Sequence, residues 1–154
     1  MVTLSLDTSE LVAVLRASTP DCRAGYDQAA LAGADRRVSV IVVHELVRGA
    51  ETSAYPARRR RQLARLLTGL TVEDFTCADA EAAGELSARL RQGGSPIGDI
   101  DTLIAGQALA RGWTVVTRNV RHFGRVDGLP LIDWALGPEP LSDSQIAARV
   151  ARDA

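Results

Sequence analysis

Short β-branched runs alternate with longer amphipathic ones along this chain, and that alternation restricts the fold more than any single residue does. The run VSVIV at 38–42 is mostly apolar on both faces, as a buried parallel strand is. Segments 2–6, 70–72, 114–117 and 131–132 read as four further strands. Stretches 9–17, 21–32, 43–52, 57–67, 78–92 and 101–111 have helical character. Strand alternating with helix implies right-handed crossovers and an open parallel sheet covered on both sides. The expected class is therefore α/β: three layers, α/β/α, around a short parallel sheet of about five strands.

Length and punctuation place one domain over residues 1–136 and a tail, a short helix capped by Ser142 or Asp143, over 137–154. The net charge of −1 excludes a global attraction to nucleic acid or anionic lipid, so a polyanionic partner requires a local basic patch. All 18 basic residues are arginine, which excludes a catalytic lysine, a Schiff base and a phosphate-loop lysine. Cys22 and Cys77 have no neighbours at zinc or redox spacing and read as packed thiols in a reducing compartment. No basic n-region precedes the first apolar run, and no uncharged run reaches a membrane span, so the expectation is a cytoplasmic protein that does not enter membranes.

In open parallel sheets, ligands collect beyond the carboxyl ends of the strands. Asp7 ends the first expected strand and Asn119 follows the fourth; Glu45 falls in the first turn of the helix after the second, and Asp101 opens the helix that feeds the fourth. Each has an ordinary reading on its own. Asp7, Asp99 and Asp101 can cap helices, and Glu45, in an otherwise apolar segment, can pair with Arg48 one turn along. An unpaired buried carboxylate is costly, so without such a partner Glu45 calls for a metal.

Four pieces carry a family resemblance: LDTS at 6–9, SVIVVHELVRGA at 39–50, IGDIDTLIAGQAL at 97–109 and VVTRNVRHFGRVDGLPLIDW at 115–134. The chain resembles the PIN-domain ribonucleases, and more closely the VapC toxins of bacterial toxin–antitoxin pairs. The resemblance implies a metal-binding acidic cluster of Asp7, Glu45 and Asp101, with Asp99 as a nearby auxiliary acid, and with Thr8, Thr117 and Asn119 lining the same site. It implies Mg²⁺ as cofactor, with Mn²⁺ able to substitute, and hydrolysis of RNA by a metal-activated water. No side-chain nucleophile is needed, and neither histidine has the setting of a triad: His44 reads as packing or surface, His122 as a loop residue. Relatives often carry a fourth acid where Asn119 stands, or three residues on, where this chain has His122. An amide oxygen can ligate a cation but adds no charge, so the residues support one metal position and leave a second open.

Arg58, Arg59, Arg60 and Arg61, with Arg65 a turn further on, read either as a solvated helix face or as phosphate contacts. Arg118 and Arg121 flank the expected site and suit scissile or neighbouring phosphates. At 4% aromatics, base stacking is not the main grip on RNA. The resemblance further implies a VapB-type antitoxin and a homodimer or toxin–antitoxin hetero-oligomer, with segments 9–17 and 57–67 as places to seek an exposed apolar patch. Two other readings stay open. A phosphotransfer or haloacid-dehalogenase-like phosphatase domain ordinarily needs a lysine, and such phosphatases a second aspartate two residues after the first; this chain has Ser9 there and no lysine. A non-catalytic PIN-like interaction module is the other.

Overall fold

A computed structural model describes residues 1–16 and 20–153. Five strands form one sheet, all parallel: β1 (Thr3–Leu6), β2 (Asp35–Ser39), β3 (Thr71–Glu73), β4 (Thr114–Val116) and β5 (Leu131–Ile132), in spatial order β3-β2-β1-β4-β5. The order reverses at β1, where the chain first winds towards β3 and later returns past β1 to β4. Right-handed crossovers then place α1 (Thr8–Arg16), α2 (Pro20–Leu31), α3 (Val40–Glu51) and α4 (Pro56–Leu67) on one face. The other face takes α5 (Cys77–Gln92), α6 (Asp99–Arg111) and the single turn α7 (Val120–Phe123). The three-layer α/β/α class expected from the sequence is the one observed.

The core lies on both sides of the sheet: Leu6, Val38, Val115, Val116 and Leu131 supply it from the strands, and Leu11, Val42, Ile104 and Phe123 from the helices. On the second face α5 and α6 pack closely enough that a Cβ at Gly106 would lie 2.5 Å from Ala83 Cα. α5 begins with a capping box at Thr76 and Asp79, and α6 ends at Gly112, whose φ of 66° is the left-handed conformation that glycine adopts without strain.

One strand differs from expectation. The run 38–42 is divided: β2 ends at Ser39 and the helix begins at Val40. Ser39 sits in extended backbone and its hydroxyl accepts from Ile41 N at 3.2 Å, so it caps the helix and leaves the apolar residues beyond it to form a buried helical stripe. The strand instead extends backwards into Asp35, Arg36 and Arg37. Glu45 accordingly lies in the second turn of α3 rather than the first. The expected first helix reached residue 17, which lies outside the described residues, as does residue 154 of the tail.

Within the tail, Ser142 caps α8 (Asp143–Val150) through a reciprocal box with Gln145, and a 3₁₀ turn follows over Ala151–Asp153. The tail is docked: Leu141 N donates to Leu131 O at 2.8 Å, and Leu141 and Ile146 pack against the core.

Candidate active site

Asp7 is the first residue past β1, and its amide continues the ladder by donating to Val116 O at 3.0 Å. Thr117 is the first past β4, the neighbouring strand across the point where strand order reverses. The two side chains therefore meet, with Thr117 Oγ1 donating to Asp7 Oδ2 at 2.7 Å. Ser9, in the first turn of α1, donates to the same oxygen at 2.7 Å. Ser9 Oγ also accepts from Arg118 N and Thr117 Oγ1 from Asn119 N, so the backbone leaving β4 is tied to the start of α1.

Asp101 reaches this edge from the first turn of α6, whose N-cap is Gly98 with no side-chain capping bond. The capping role open to Asp99 and Asp101 at the sequence level is thus not the observed one. Asp101 Oδ2 instead accepts from Asn119 Nδ2 at 3.1 Å and lies 2.6 Å from His122 Nδ1. A carboxylate only accepts, so His122 Nδ1 carries the proton. Glu45 arrives from α3 and accepts from the Thr8 hydroxyl, while Arg48 stands 3.8 Å from its other oxygen. One hydrogen-bonded edge thus joins Glu45 and Thr8, Asp7 with Ser9 and Thr117, and Asn119 with Asp101 and His122.

Asp7 is 3% exposed. Burial pushes its carboxyl above the ordinary range, the hydroxyls of Thr117 and Ser9 oppose the rise, and the charge of Asp101 adds to it. Among the described residues no three His, Cys, Asp or Glu side chains stand together ready to hold a metal ion. Asp7, Glu45 and Asp101 are engaged with hydroxyl, amide, guanidinium and imidazole donors. The donor chemistry still suits a hard divalent cation: carboxylate, hydroxyl and amide oxygens, with a buried acid held against a second acid's charge.

Of the expected residues, Asp7, Thr117, Asn119 and Asp101 are joined by hydrogen bonds along one edge, and Glu45 adjoins them only through Thr8, the residue after Asp7. Asp99 does not join them: it is 89% exposed and its partner is Arg91, at 3.7 Å. Arg118 and Arg121 are exposed on the rim, with Arg121 3.3 Å from His122 Nε2. Arg58, Arg59, Arg60 and Arg61 are exposed on α4; Arg59 bonds Gln62 and Arg60 faces Glu51 at 3.6 Å. Arg59 also lines a groove with Glu45, Val12, Leu15, Leu46 and Leu63.

Three residues escaped the sequence reading. Ser9 was visible only as part of LDTS. His122, read as a loop residue, belongs to α7 and to the site; its standing where relatives carry an acid was the available signal. Glu10 gave no signal. It is fully buried with the Cys22 thiol as its hydrogen-bonding neighbour and no N–H or O–H donor on either oxygen; burial raises its pKa, the Cys22 thiol and the charge of Arg118 oppose the rise, and the charges of Asp133 and Asp7 add to it.

The PIN domain family model matches residues 4–129. The tRNA(fMet)-specific endonuclease VapC of Shigella flexneri is 38% identical over 98 residues, 64% of this chain and 74% of that one. Ribonuclease VapC2 of Haemophilus influenzae is 33% identical over 134 residues, 87% of this chain and 99% of that one. Among solved structures, the DNA-bound VapBC of Salmonella typhimurium is similar with a TM-score of 0.80 and 31% identity, over 87% of this chain and 99% of that one. VapBC2 of Rickettsia felis, bound to a fragment of its promoter DNA, follows at 0.81 and 29%, over 86% and 99%. With Asp7 facing Asp101 where the sheet reverses and matches of this extent, the chain belongs to the PIN-domain family and, within it, to the VapC ribonucleases.

Proposed function

We propose that this chain is a divalent-metal-dependent endoribonuclease and the toxin half of a toxin–antitoxin pair. The observation that carries the reading is the buried Asp7 carboxylate, framed by two hydroxyls and facing the charge of Asp101 at the reversal point of the sheet. Asp7, Glu45 and Asp101 are the residues that would hold the cation. When bound, Mg²⁺, or Mn²⁺ in its place, supplies Lewis-acid activation of water and phosphate. Thr8, Ser9 and Thr117 fix the carboxylates in orientation, and Asn119 and His122 fix Asp101. Arg118 and Arg121 on the rim and the arginines of α4 bind RNA phosphates, a grip that weakens as salt rises. Asp99, exposed and paired with Arg91, keeps at most the part of an auxiliary acid.

A VapB-type antitoxin is the proposed partner, by analogy with the VapBC neighbours, and a homodimer the proposed unit. The groove among α1, α3 and α4 is the place for an apolar antitoxin segment, because it opens beside Glu45. No helix among the described residues is long and apolar enough to cross a membrane, and the cytoplasm, where RNA is met, is the proposed site of action.

The test is cleavage of a broad RNA panel by purified protein with Mg²⁺ or Mn²⁺. EDTA is expected to stop it, and Asp7→Asn or Asp101→Asn to lower it by about 100-fold or more, on the order of a lost electrostatic stabiliser. Full cleavage by either variant would overturn the assignment, and a stable acyl-phosphate on Asp7 would favour the phosphotransfer class.

A further inference from the structure

α7 is a single turn of four residues carrying the wall of the site, and a helix that short does not persist unaided. Its N-cap position gives it no help: Asn119 makes no capping bond and spends its side-chain amide on Asp101. Val120 and Phe123 anchor its inner side in the core. Its far end is Gly124, and there α8 is seated. A Cβ at position 124 would lie 2.7 Å from Ile146 Cγ2 and 2.9 Å from Val150 Cγ2. Ile146 and Val150 are one helical turn apart, so together they straddle the glycine.

α8 is in turn fixed at its start and along its length. The capping box at Ser142 and Gln145 closes its first turn, Leu141 N is bonded to the carbonyl of Leu131 on β5, and Arg149 reaches Asp133 at 3.4 Å. Asp133 is buried just past β5, at the same carboxyl edge of the sheet as Asp7 and Thr117. None of the residues of α8 is itself fully buried, so the helix gains little by folding for its own sake. It also lies beyond residue 129, where the family model stops.

We propose that α8 is a buttress for the active-site wall: Ile146, Val150 and Arg149 are positioning residues that hold α7, and through it Asn119 and His122, against Asp101. Its bearing on catalysis rests on the nuclease reading above; its effect on α7 does not.

The test uses the full chain without metal. The chain has two histidines, so a His44→Gln variant assigns the imidazole resonances, and the His122 Nδ1–H signal then reports the bond to Asp101. In Ile146→Ala/Val150→Ala that signal is expected to broaden or vanish, and amide exchange over 120–124 to speed by about tenfold or more while the α5 and α6 amides keep their protection. Arg149→Gln, a milder change, should move both readouts the same way, and Arg149→Lys should restore them. RNA cleavage should lose kcat with KM little changed. Unchanged His122 signal and unchanged exchange over 120–124 in both the double variant and Arg149→Gln would overturn the buttress. Loosened α7 in a protein whose parent cleaves no RNA would uphold it while removing the nuclease reading.

Discussion

Replacing Glu10 with methionine is expected to stabilise the protein at pH 8 by about 1–3 kcal/mol, the usual cost of a buried polar group that is poorly paired. Glu10 is wholly enclosed, its one hydrogen-bonding neighbour is the weak thiol donor of Cys22, and the acids Asp133 and Asp7 face it together with Arg118. Burial lifts its carboxyl above the ordinary 4.5, so from pH 4.5 up to that raised value the folded chain keeps a proton that the unfolded chain has released. The native state then binds more protons than the unfolded one, and stability falls as pH rises through the window, by up to about 1.4 kcal/mol per pH unit for one proton. Methionine has a similar volume and no charge. Its advantage should therefore be larger at pH 8 than at pH 5, because the raised carboxyl loses its proton, and takes up a buried charge, as pH rises.

Urea unfolding in EDTA at both pH values measures this, with Glu10→Gln as the control that removes the charge and keeps the polarity. Taking the difference between parent and variant cancels the groups that do not face Glu10; Asp7, whose charge acts on it, shifts with the same sign and leaves the direction of the difference unchanged. Asp79 does not intrude, because its carboxyl is held at about 2 and titrates below this range. A loss of stability in both variants that is equal at pH 5 and pH 8 would refute the reasoning, since Glu10 would then contribute packing with no penalty for charge.

Asp79 carries the opposite sign. Arg111, bonded to it at 2.6 and 3.0 Å, holds the carboxyl near 2 against an ordinary 3.8, so its stabilisation is complete above pH 3.8 and is lost as pH falls through about 2. Asp79→Asn is expected to cost roughly 2 kcal/mol at pH 7 and to converge with the parent in acid denaturation near pH 2. Gly106→Ala drives a Cβ into the backbone of Ala83 and is expected to cost about 1–3 kcal/mol by thermal or urea melting, whereas Gly84→Ala, which meets nothing within 4 Å, should be neutral or slightly stabilising.

The sheet was legible where strands are apolar and short, and illegible where a strand is written in charges. β2 begins Asp35-Arg36-Arg37, and no hydrophobic period marks it. Its arginines find partners far along the chain: Arg36 lies over the Tyr26 ring, and Arg37 pairs with Glu73 and faces the Trp113 ring. Only the assembled sheet supplies those partners, so the apolar run just after β2 drew the strand assignment to itself. Asp7 was legible for the converse reason, since strand ends at a reversal of order collect ligands whatever the sequence between them, and Asp101 because IGDIDTLIAGQAL carries the family resemblance.

Counted as charges, Asn119 and His122 stand at the two alternative positions for one further acid that this chain lacks. Their geometry gives them a different part. Both bond the same oxygen of Asp101, so donors stand where a further carboxylate would have repelled it. Asp101 is consequently oriented by the fold itself, and the arrangement costs the edge a charge while lowering the repulsion among those that remain. The choice between acid and donor at 119 and 122 therefore decides how firmly Asp101 is fixed as well as how many negative charges the edge presents. Only the second of these is visible in a list of residues, because the first depends on α7 turning both side chains towards α6.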